Sequence, residues 1–374
     1  MKKEMSREAG SGFAGKKFLI LILGLSLTAA SCDLVNGIFD FGGGGAQGVF
    51  KSEDSGETFR PAEVMAKKGD ISTVTANALV FDTGNSSVLY LAASSGIYKS
   101  DDGAKTWRYI LSGIAAADIA IDPFQANNLY ASGIVGTNGK IIKSLDGGTS
   151  WVDIYTEPSK NNTVLAIAVS QTNPSLVLAG LNSGQIIRST DGGHAWQATT
   201  DFADRIIQIK FSSSGTVYAL TARKGVEKSS DQGSSWSSVS NSFTTDNLGS
   251  RNRTSVSAGA FYDLALDKRQ SGVLYLGTDQ GLFRTVNDGA SWAFLSLPVR
   301  SSSTRVHAVA VNPSNSNNLF VAVSSTIFKS LNGGVSWETK VLPTNAGIRS
   351  ILVDPQSNNN IYAGMGPAQS ASGQ

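Results

Sequence analysis

The stretch Ser144-Leu145-Asp146-Gly147-Gly148-Thr149-Ser150-Trp151 decides the fold of this chain, because similar stretches recur along it. Six further copies begin at Ser52, Ser100, Ser189, Ser229, Thr285 and Ser330. We call these seven eight-residue stretches the repeat turns. Successive copies start 48, 44, 45, 40, 56 and 45 residues apart. A period of about 40–50 residues is typical of β-propellers and of solenoids.

Each repeat turn has the residue types of a β-hairpin corner. The third residue is Asp or Asn, whose side chain can hydrogen-bond the backbone two residues farther on, and glycine supplies a positive φ. The eighth residue is an aromatic that we expect to pack beside the hairpin. The predicted structural residues are Asp54, Asp102, Asp146, Asp191, Asp231, Asn287 and Asn332 at the third position, and Phe59, Trp107, Trp151, Trp196, Trp236, Trp292 and Trp337 at the eighth.

Outside the turns, each repeat predicts four short strands. In one repeat these lie at 118–122, 128–131, 140–143 and 151–155, with apolar alternation and turn residues between them. The chain ends carry partial repeats: a third and an outer strand at 48–59, and two inner strands at 349–353 and 360–363. Together they complete one blade. The sequence therefore predicts an all-β fold, a single seven-bladed β-propeller at 46–366 whose N-terminal strands join the C-terminal blade, which leaves no exposed sheet edge at the closure.

The turns resemble the Asp-box, or BNR, repeat, whose usual form S-x-D-x-G-x-T-W is matched by SLDGGTSW and STDGGHAW. Departures are Asn287 and Asn332 for Asp, Ala104 for Gly, Thr285 for Ser and Phe59 for Trp. The resemblance covers residues 46–366 and implies a β-propeller. The same repeat occurs in sialidases, sortilin-type receptors, xyloglucanases and photosystem II assembly factors, so the family resemblance implies a fold rather than one function.

The resemblance also implies where a site should lie. In such propellers the repeat is a peripheral turn remote from the functional face. We call the face with the repeat turns and the turns after the inner strands the turn face. The opposite face holds the connections between blades and the loops joining second and third strands, and we call it the loop face. We expect a functional site on the loop face, near the central channel.

Residues 1–31 predict an export signal, because basic residues precede an apolar run, 18–27, that is too short to span a bilayer. The small residues 29–31 then lead to Cys32, the single cysteine, in an arrangement that resembles a bacterial lipobox. We expect lipidation of Cys32, a glycine-rich tether at 32–45 and a disordered tail at 367–374. The expected location is the outer face of the cytoplasmic membrane, the periplasm or the cell surface.

Composition argues against several classes of partner and cofactor. The leader carries the basic excess, and the remainder has 26 cationic against 27 anionic side chains, so no nucleic-acid footprint is present. The two histidines, His194 and His307, have no second ligand at metal-binding spacing, and no nucleotide-binding loop appears. We expect no metal, no cofactor and a monomeric protein.

A glycoside hydrolase is the alternative function, and it needs two carboxylates about 5–9.5 Å apart. Aligned inner strands place Asp118 and Asp263 at equivalent positions of the second and fifth blades, nearly across the channel from each other. Asp279 lies in a Thr-Asp-Gln-Gly turn that resembles the one carrying a catalytic Asp in xyloglucanases. A sialidase would need a Tyr paired with a Glu, and Tyr155 and Tyr262 have no convincing Glu partner in the sequence.

The remaining feature is a basic rim on the loop face. Arg205 and Arg305 occupy matching positions before inner strands, Arg349 lies close to the equivalent place, and the insertion at 241–260 adds Arg251 and Arg253. The alternative is that these are solvated surface charges. We expect a non-catalytic cell-envelope lipoprotein that binds or scaffolds a protein, peptide or glycan, with an acidic partner at these arginines.

Overall fold

A computed structural model describes residues 48–62, 71–240, 243–244, 259–299 and 304–368. Apart from a 3₁₀ turn at Ile71–Thr73, the regular structure in these ranges is β-strand. The leader at 1–31, Cys32, the tether at 32–45 and most of the tail lie outside the described residues.

Seven sheets are present, and the strands are numbered in chain order. Blade one has β3 (Ala76–Phe81), β4 (Leu89–Ala93), β5 (Gly96–Ser100) and β6 (Arg108–Ser112). Blade two has β7 (Ala115–Ile121), β8 (Leu129–Val135), β9 (Asn138–Ser144) and β10 (Val152–Lys160). Blade three has β11 (Val164–Val169), β12 (Val177–Leu181), β13 (Gln185–Ser189) and β14 (Gln197–Asp201).

Blade four has β15 (Ile206–Phe211), β16 (Val217–Thr221), β17 (Val226–Ser229) and β18 (Ser237–Ser238). Blade five has β20 (Phe261–Leu266), β21 (Leu274–Thr278), β22 (Gly281–Thr285) and β23 (Trp292–Leu295). Blade six has β24 (Ala308–Asn312), β25 (Asn315–Val323), β26 (Thr326–Ser330) and β27 (Glu338–Val341). Blade seven has β28 (Ala346–Val353), β29 (Ile361–Ala368), β1 (Val49–Ser52) and β2 (Arg60–Pro61).

The predicted seven-bladed ring and its closure are confirmed. The first strands of successive sheets contact each other all the way round, and β28 of blade seven contacts β3 of blade one. Strand β1 pairs antiparallel with β29, with Phe50 opposite Ala363. The amide of Gly48 also donates to the carbonyl of Val74 at 2.8 Å. The N-terminal segment thus pairs with β29 of blade seven and is also bonded to the residues just before blade one.

Blade five departs from the expected four strands. The start of the long insertion forms a short strand, β19 (Phe243–Thr244), that pairs parallel with β23 through Phe243 opposite Trp292. The insertion therefore first runs along the outer edge of the sheet. It re-enters the described part of the chain at Gly259, beside the turn that carries Asp279.

The repeat turns are eight-residue connections between paired strands, since Lys143 before the turn lies opposite Val152 after it. Their fourth and fifth residues both have positive φ, for example 69° at Gly147 and 91° at Gly148, as a type I′ turn requires. The prediction of a side-chain bond two residues along the chain is wrong in detail. Because both corner residues are left-handed, the chain folds back farther, and Asp146 Oδ1 accepts the amides of Thr149 and Ser150 at 3.0 and 2.8 Å.

A buried serine completes the same turn. Ser144 Oγ accepts the amide of Gly148 at 2.9 Å and donates to Asp146 Oδ1 at 2.8 Å. Hydrogen bonds from the Ser150 hydroxyl and amide lower the pKa of the Asp146 carboxyl to about 2. The turn therefore satisfies most of its own polar groups, and the amide of Gly147 donates outside it to the carbonyl of Asn127 at 3.0 Å.

In five of the seven blades, the basic residue directly before the repeat turn bonds to the next repeat turn. The Lys143 ammonium lies 4.9 Å from the centroid of the Tyr130 ring and donates to the carbonyl of Gly192 in the next repeat turn at 2.8 Å. Lysine or arginine stands at the same place in every repeat: Lys51, Lys99, Lys143, Arg188, Lys228, Arg284 and Lys329. Between blades six and seven this residue, Lys329, pairs with Glu57 of the N-terminal repeat turn.

The cores lie between blades. Ile119 on the inner strand of blade two packs with Tyr90, Ala92 and Ile97 of blade one. The same position is apolar and buried in all seven blades: Leu79, Ile119, Ile167, Ile209, Leu264, Val309 and Ile351. Burial between sheets, rather than within one globule, is what makes each blade depend on its neighbours.

Candidate functional site on the loop face

Six of the seven inner strands contain a β-bulge near the loop-face end, and in blade six the equivalent extra residue lies directly before the strand. In blade one, Ala76 lies opposite Ala93 and Ala78 opposite Ala92, so Asn77 is an extra residue in the ladder. In blade six, the amide of His307 donates to Ala322 at 2.9 Å although Ala308 already pairs with that residue. The seven bulge residues are Asn77, Ala117, Leu165, Ile207, Tyr262, His307 and Arg349. We call this set the bulge ring.

Bulges re-aim side chains and are over-represented beside functional sites. All seven bulge-ring residues are half-buried or exposed, whereas the apolar position two residues farther on is buried in every blade. The bulge ring therefore surrounds the loop-face mouth of the central channel. Its composition is divided: blades five, six, seven and one contribute polar or aromatic residues, and blades two, three and four contribute aliphatic ones.

In blades two, four and five, the residue after the bulge has a polar side chain that bonds to the next inner strand. An inner strand is a sheet edge, so part of its main-chain N–H groups has no ladder partner. Asp118 Oδ2 accepts the amide of Ile167 in the next blade at 3.0 Å. Asp263 Oδ2 accepts the amide of Val309 at 2.7 Å, and Gln208 Oε1 accepts that of Leu264 at 2.9 Å. These side chains tie successive blades together around the channel.

The carboxylates predicted for a hydrolase hold main-chain amides in the structure. Besides the bonds above, Asp263 Oδ1 accepts Gln208 Nε2 at 2.6 Å. Asp279, in the turn between β21 and β22, accepts the amide of Gly259 at 3.1 Å. Asp118 lies in blade two and Asp263 in blade five, three blades apart in the ring. Asp263 and Asp279 belong to the same blade.

Asp118 has an unusual protonation equilibrium. Burial raises the pKa of its carboxyl to about 6, against the opposing effects of the amides of Ile167 and Ile119 and the more distant charge of Lys210. Its side chain is half-buried rather than sealed from solvent, since it lies on the strand that lines the channel. A carboxyl in this state can exchange a proton near neutral pH.

Two of the predicted arginines, Arg305 and Arg349, act electrostatically on His307. The rings of His307 and Tyr262 lie 4.6 Å apart between centroids, with an angle of 47° between their planes. Burial lowers the pKa of His307, and the charges of Arg349 and Arg305 lower it further. The two guanidinium groups therefore act on the same imidazole from neighbouring blades. Both arginines are exposed.

Space for the Arg349 side chain comes from a glycine. A Cβ on Gly366 would lie 2.5 Å from Arg349 Nε, which shows that the guanidinium stem lies directly against that backbone. Among the described residues, no carboxylate forms an ion pair with Arg305 or Arg349. Within that part of the chain, neither guanidinium is neutralised by a carboxylate.

Arg205 lies elsewhere on the loop face. It lines a shallow depression of about 420 Å³ between blades three and four, together with Arg223, Asp204 and Asn182. Asp204 accepts the amides of Arg223 and Lys224 at 2.6 and 2.9 Å and so fixes that loop. The structure therefore divides the predicted rim into the Arg305–Arg349 pair and the Arg205 depression. Arg251 and Arg253 lie outside the described residues.

Tyr155 corrects one expectation from the sequence. Its hydroxyl donates to Glu157 Oε2 at 2.6 Å, so it does have a glutamate partner. Residues two apart on a strand place their side chains on the same face. This spacing of Tyr155 and Glu157 is the sequence signal that was missed. The pair lies on β10, the outer strand of blade two, where the Tyr155 ring packs 5.9 Å from that of Trp196. Burial raises the pKa of Tyr155, and Glu157 raises it further.

Within the described ranges, no three His, Cys, Asp or Glu side chains are grouped as a metal site would need. The same ranges hold no helix with the length and apolarity needed to cross a bilayer.

Comparison with known proteins gives similarity to two kinds of propeller. No family model matches the chain. A xyloglucanase of Hypocrea jecorina (strain QM6a) is 28% identical over 147 residues, which is 38% of this chain and 17% of that protein. The structure of a GH74 enzyme from Niastella koreensis superposes with a TM-score of 0.62 at 19% identity, over 80% of this chain and 53% of that one. This chain thus spans about half the length of that enzyme.

A propeller of matching size is also similar. The structure of YCF48 bound to a D1 peptide superposes with a TM-score of 0.59 at 18% identity, over 81% of this chain and 94% of that one. Enzymes and a peptide-bound protein therefore share this architecture. At 18–19% identity, these likenesses show that the chain has the propeller fold of both groups.

Proposed function

We propose that this protein is a non-catalytic binding propeller that holds a carboxylate-bearing partner on its loop face. One observation carries the proposal: Arg305 and Arg349 are exposed in neighbouring blades, and among the described residues no carboxylate pairs with either of them. Arginine suits this role, because its planar guanidinium binds carboxylates through two parallel hydrogen bonds and stacks on aromatic rings.

The arrangement of acids supports binding over hydrolysis. A hydrolytic pair must act on one bond, yet Asp118 and Asp263 lie three blades apart and both hold amides of the next blade. The superposition on the peptide-bound YCF48 structure covers 94% of that protein, and this likeness is consistent with a partner-binding role.

The test is capture of the partner from the native envelope by the full chain. The triple variant Arg205→Ala, Arg305→Ala and Arg349→Ala should lose capture while its thermal stability stays close to that of the wild type. A control removes three exposed cations of the turn face: Lys105, Lys268 and Arg269. Equal loss in both triple variants would show a general charge effect and contradict the proposal, as would unchanged capture by the loop-face variant.

We further propose that the propeller is anchored at the cell envelope through lipidated Cys32. A single acyl chain anchors a protein only marginally, so stable attachment requires the two or three chains of a bacterial lipoprotein. Cys32→Ser should release the protein from membranes or block its maturation, as fractionation and mass spectrometry would show. A soluble wild-type protein with an unmodified Cys32 would refute the anchor and leave the binding proposal intact.

A glycoside hydrolase is the second candidate, favoured by the similarity to a xyloglucanase over 147 residues. It would use Asp263 and Asp279, which share blade five, or Asp118. Incubation of the full chain with xyloglucan, other glycans and sialosides tests it directly. Turnover that Asp263→Asn or Asp279→Asn abolishes would establish the enzyme and displace the binding proposal.

A further inference from the structure

We infer that the bulge ring is a divided specificity site for an extended peptide that presents an acidic and an apolar side chain together. The inference rests on the proposed binding function and specifies its ligand. The polar arc of the ring is Tyr262, His307, Arg349 and Asn77, in four successive blades. The apolar arc is Ala117, Leu165 and Ile207, in the three blades that complete the circle.

The polar arc is built to receive a carboxylate. Arg349 extends over Gly366, where no side chain could fit beside it, and Arg305 precedes His307 by two residues in blade six and is exposed. His307 is held against Tyr262, and its lowered pKa keeps the imidazole neutral at neutral pH. The arc therefore offers two fixed positive charges and an aromatic surface, with a neutral ring between them.

The polar arc ends at Asn77, at the border between blades one and two. Asn77 Nδ2 donates to the carbonyl of Ala116 in blade two at 2.7 Å, so its amide is committed to the backbone where the polar arc ends. Beyond it the bulge residues become aliphatic. A ligand whose carboxylate sits at Arg305 and Arg349 thus meets apolar surface on the other side of the mouth.

The apolar arc favours a peptide over a glycan. Ile207 packs in part against the core between blades four and five. The part of Leu165 and of Ile207 that stays exposed gains from contact with an apolar side chain of a ligand. Sugars instead bind on aromatic platforms, and every Trp of the chain closes a repeat turn. Tyr262 is the single aromatic member of the bulge ring. A peptide with an acidic residue close to a leucine-like one fits both arcs at once.

The experiment is selection of a displayed library of random heptapeptides on the immobilised full-length protein. Wild type should enrich sequences in which Asp or Glu lies near an apolar residue. The best sequence is then synthesised with a free and with an amidated C-terminus, which separates a side-chain carboxylate from a terminal one. Affinities of these two probes are measured by fluorescence anisotropy for wild type and variants.

Two pairs of changes separate the arcs. Arg305→Ala with Arg349→Ala should weaken the selected peptide by about tenfold or more and remove the acidic preference. Leu165→Ser with Ile207→Thr should reduce affinity several-fold and keep the acidic preference. Because Ile207 is half-buried, Leu165→Ser alone serves as the second variant if the double change lowers thermal stability. Arg223→Ala, on the same face but outside the bulge ring, is the matched control and should bind normally.

Selection of neutral or basic sequences, selection of none, or an acidic preference unaffected by Arg305→Ala with Arg349→Ala would overturn the inference. Those results would leave the proposed function standing if the native partner were still captured in an arginine-dependent way. Loss of both the peptide preference and the native capture would contradict the proposed function itself.

Discussion

The carboxylate of Asp263 accepts the main-chain amide of Val309 in the following blade, with an oxygen-to-nitrogen distance of 2.7 Å. This bond joins the inner strands of blades five and six beside the channel. Its second oxygen is bonded to Gln208 of blade four, so one buried side chain connects three blades. A residue chosen from the sequence as a catalytic candidate thus has a structural task.

Replacing Asp263 by alanine should destabilise the protein by about 1–3 kcal/mol, because a buried amide and the Gln208 side chain lose their partner. Asp279→Ala is the matched control in the same blade. It removes one bond at a partly exposed turn and should cost less than about 1 kcal/mol. Chemical denaturation measures both. Equal effects would contradict the connecting role of Asp263.

Asp118 should make stability depend on pH between about 4 and 6. Its folded pKa is about 6, above the ordinary value of 3.8. Below 3.8 the carboxyl is protonated in both states; as pH rises the unfolded chain loses the proton first, so stability falls until pH passes about 6.

Asp118→Asn should remove that slope, as thermal unfolding of both proteins from pH 4 to 7 would show. The lowered pKa values of the repeat-turn carboxyls act below this window, so they do not mask the difference. An identical slope in the variant would mean that Asp118 titrates normally.

The pKa of His307 should rise when Arg349 or Arg305 is replaced by alanine, since each guanidinium disfavours the imidazolium. The chain has only two histidines, so NMR titration is simple and His194→Gln assigns the resonances. Arg223→Ala should leave the His307 titration unchanged. A shift equal to that of the other two variants would show that the three arginines share one long-range field.

Deletion of residues 46–62 should abolish cooperative folding or cause aggregation, because it removes β1 and β2 and exposes the edge of β29. Deletion of 33–45, which precedes these strands, should be tolerated. Calorimetry and size-exclusion chromatography distinguish the outcomes. A monomeric 46–62 deletion that melts as the wild type does would show that the ring tolerates an open seventh blade.

Much of the fold follows from the repeat turns. Glycine and Asp at fixed places determine the hairpin corner, and the partial repeats at the two ends predict the shared blade. The sequence did not reveal a second role of these repeats: a lysine or arginine precedes each turn, and in five blades it bonds to the next turn. Lys143 directly precedes the repeat turn, but its partner Gly192 lies 49 residues farther along the chain, so the sequence does not show the contact.

The candidate site was harder to predict, because it depends on register. A bulge adds one residue to a ladder and leaves the apolar alternation almost unchanged, so Tyr262 and His307 read as ordinary strand residues. Alignment of the repeats placed Arg205 and Arg305 at matching positions correctly. It could not show the surroundings of each: Arg305 and Arg349 act on the same imidazole, whereas Arg205 lines a depression with Arg223.

The closure of the ring also determines how the protein would bear mechanical load. Any pull on the chain before residue 48 reaches β1 first, which is held along its length by β29. The same segment is fixed to blade one by Gly48 and Val74, and to blade six by Glu57 with Lys329 and Lys340. Force applied at that end is therefore distributed over blades one, six and seven. Because β1 passes the force to all three, no single contact between blades carries the whole load.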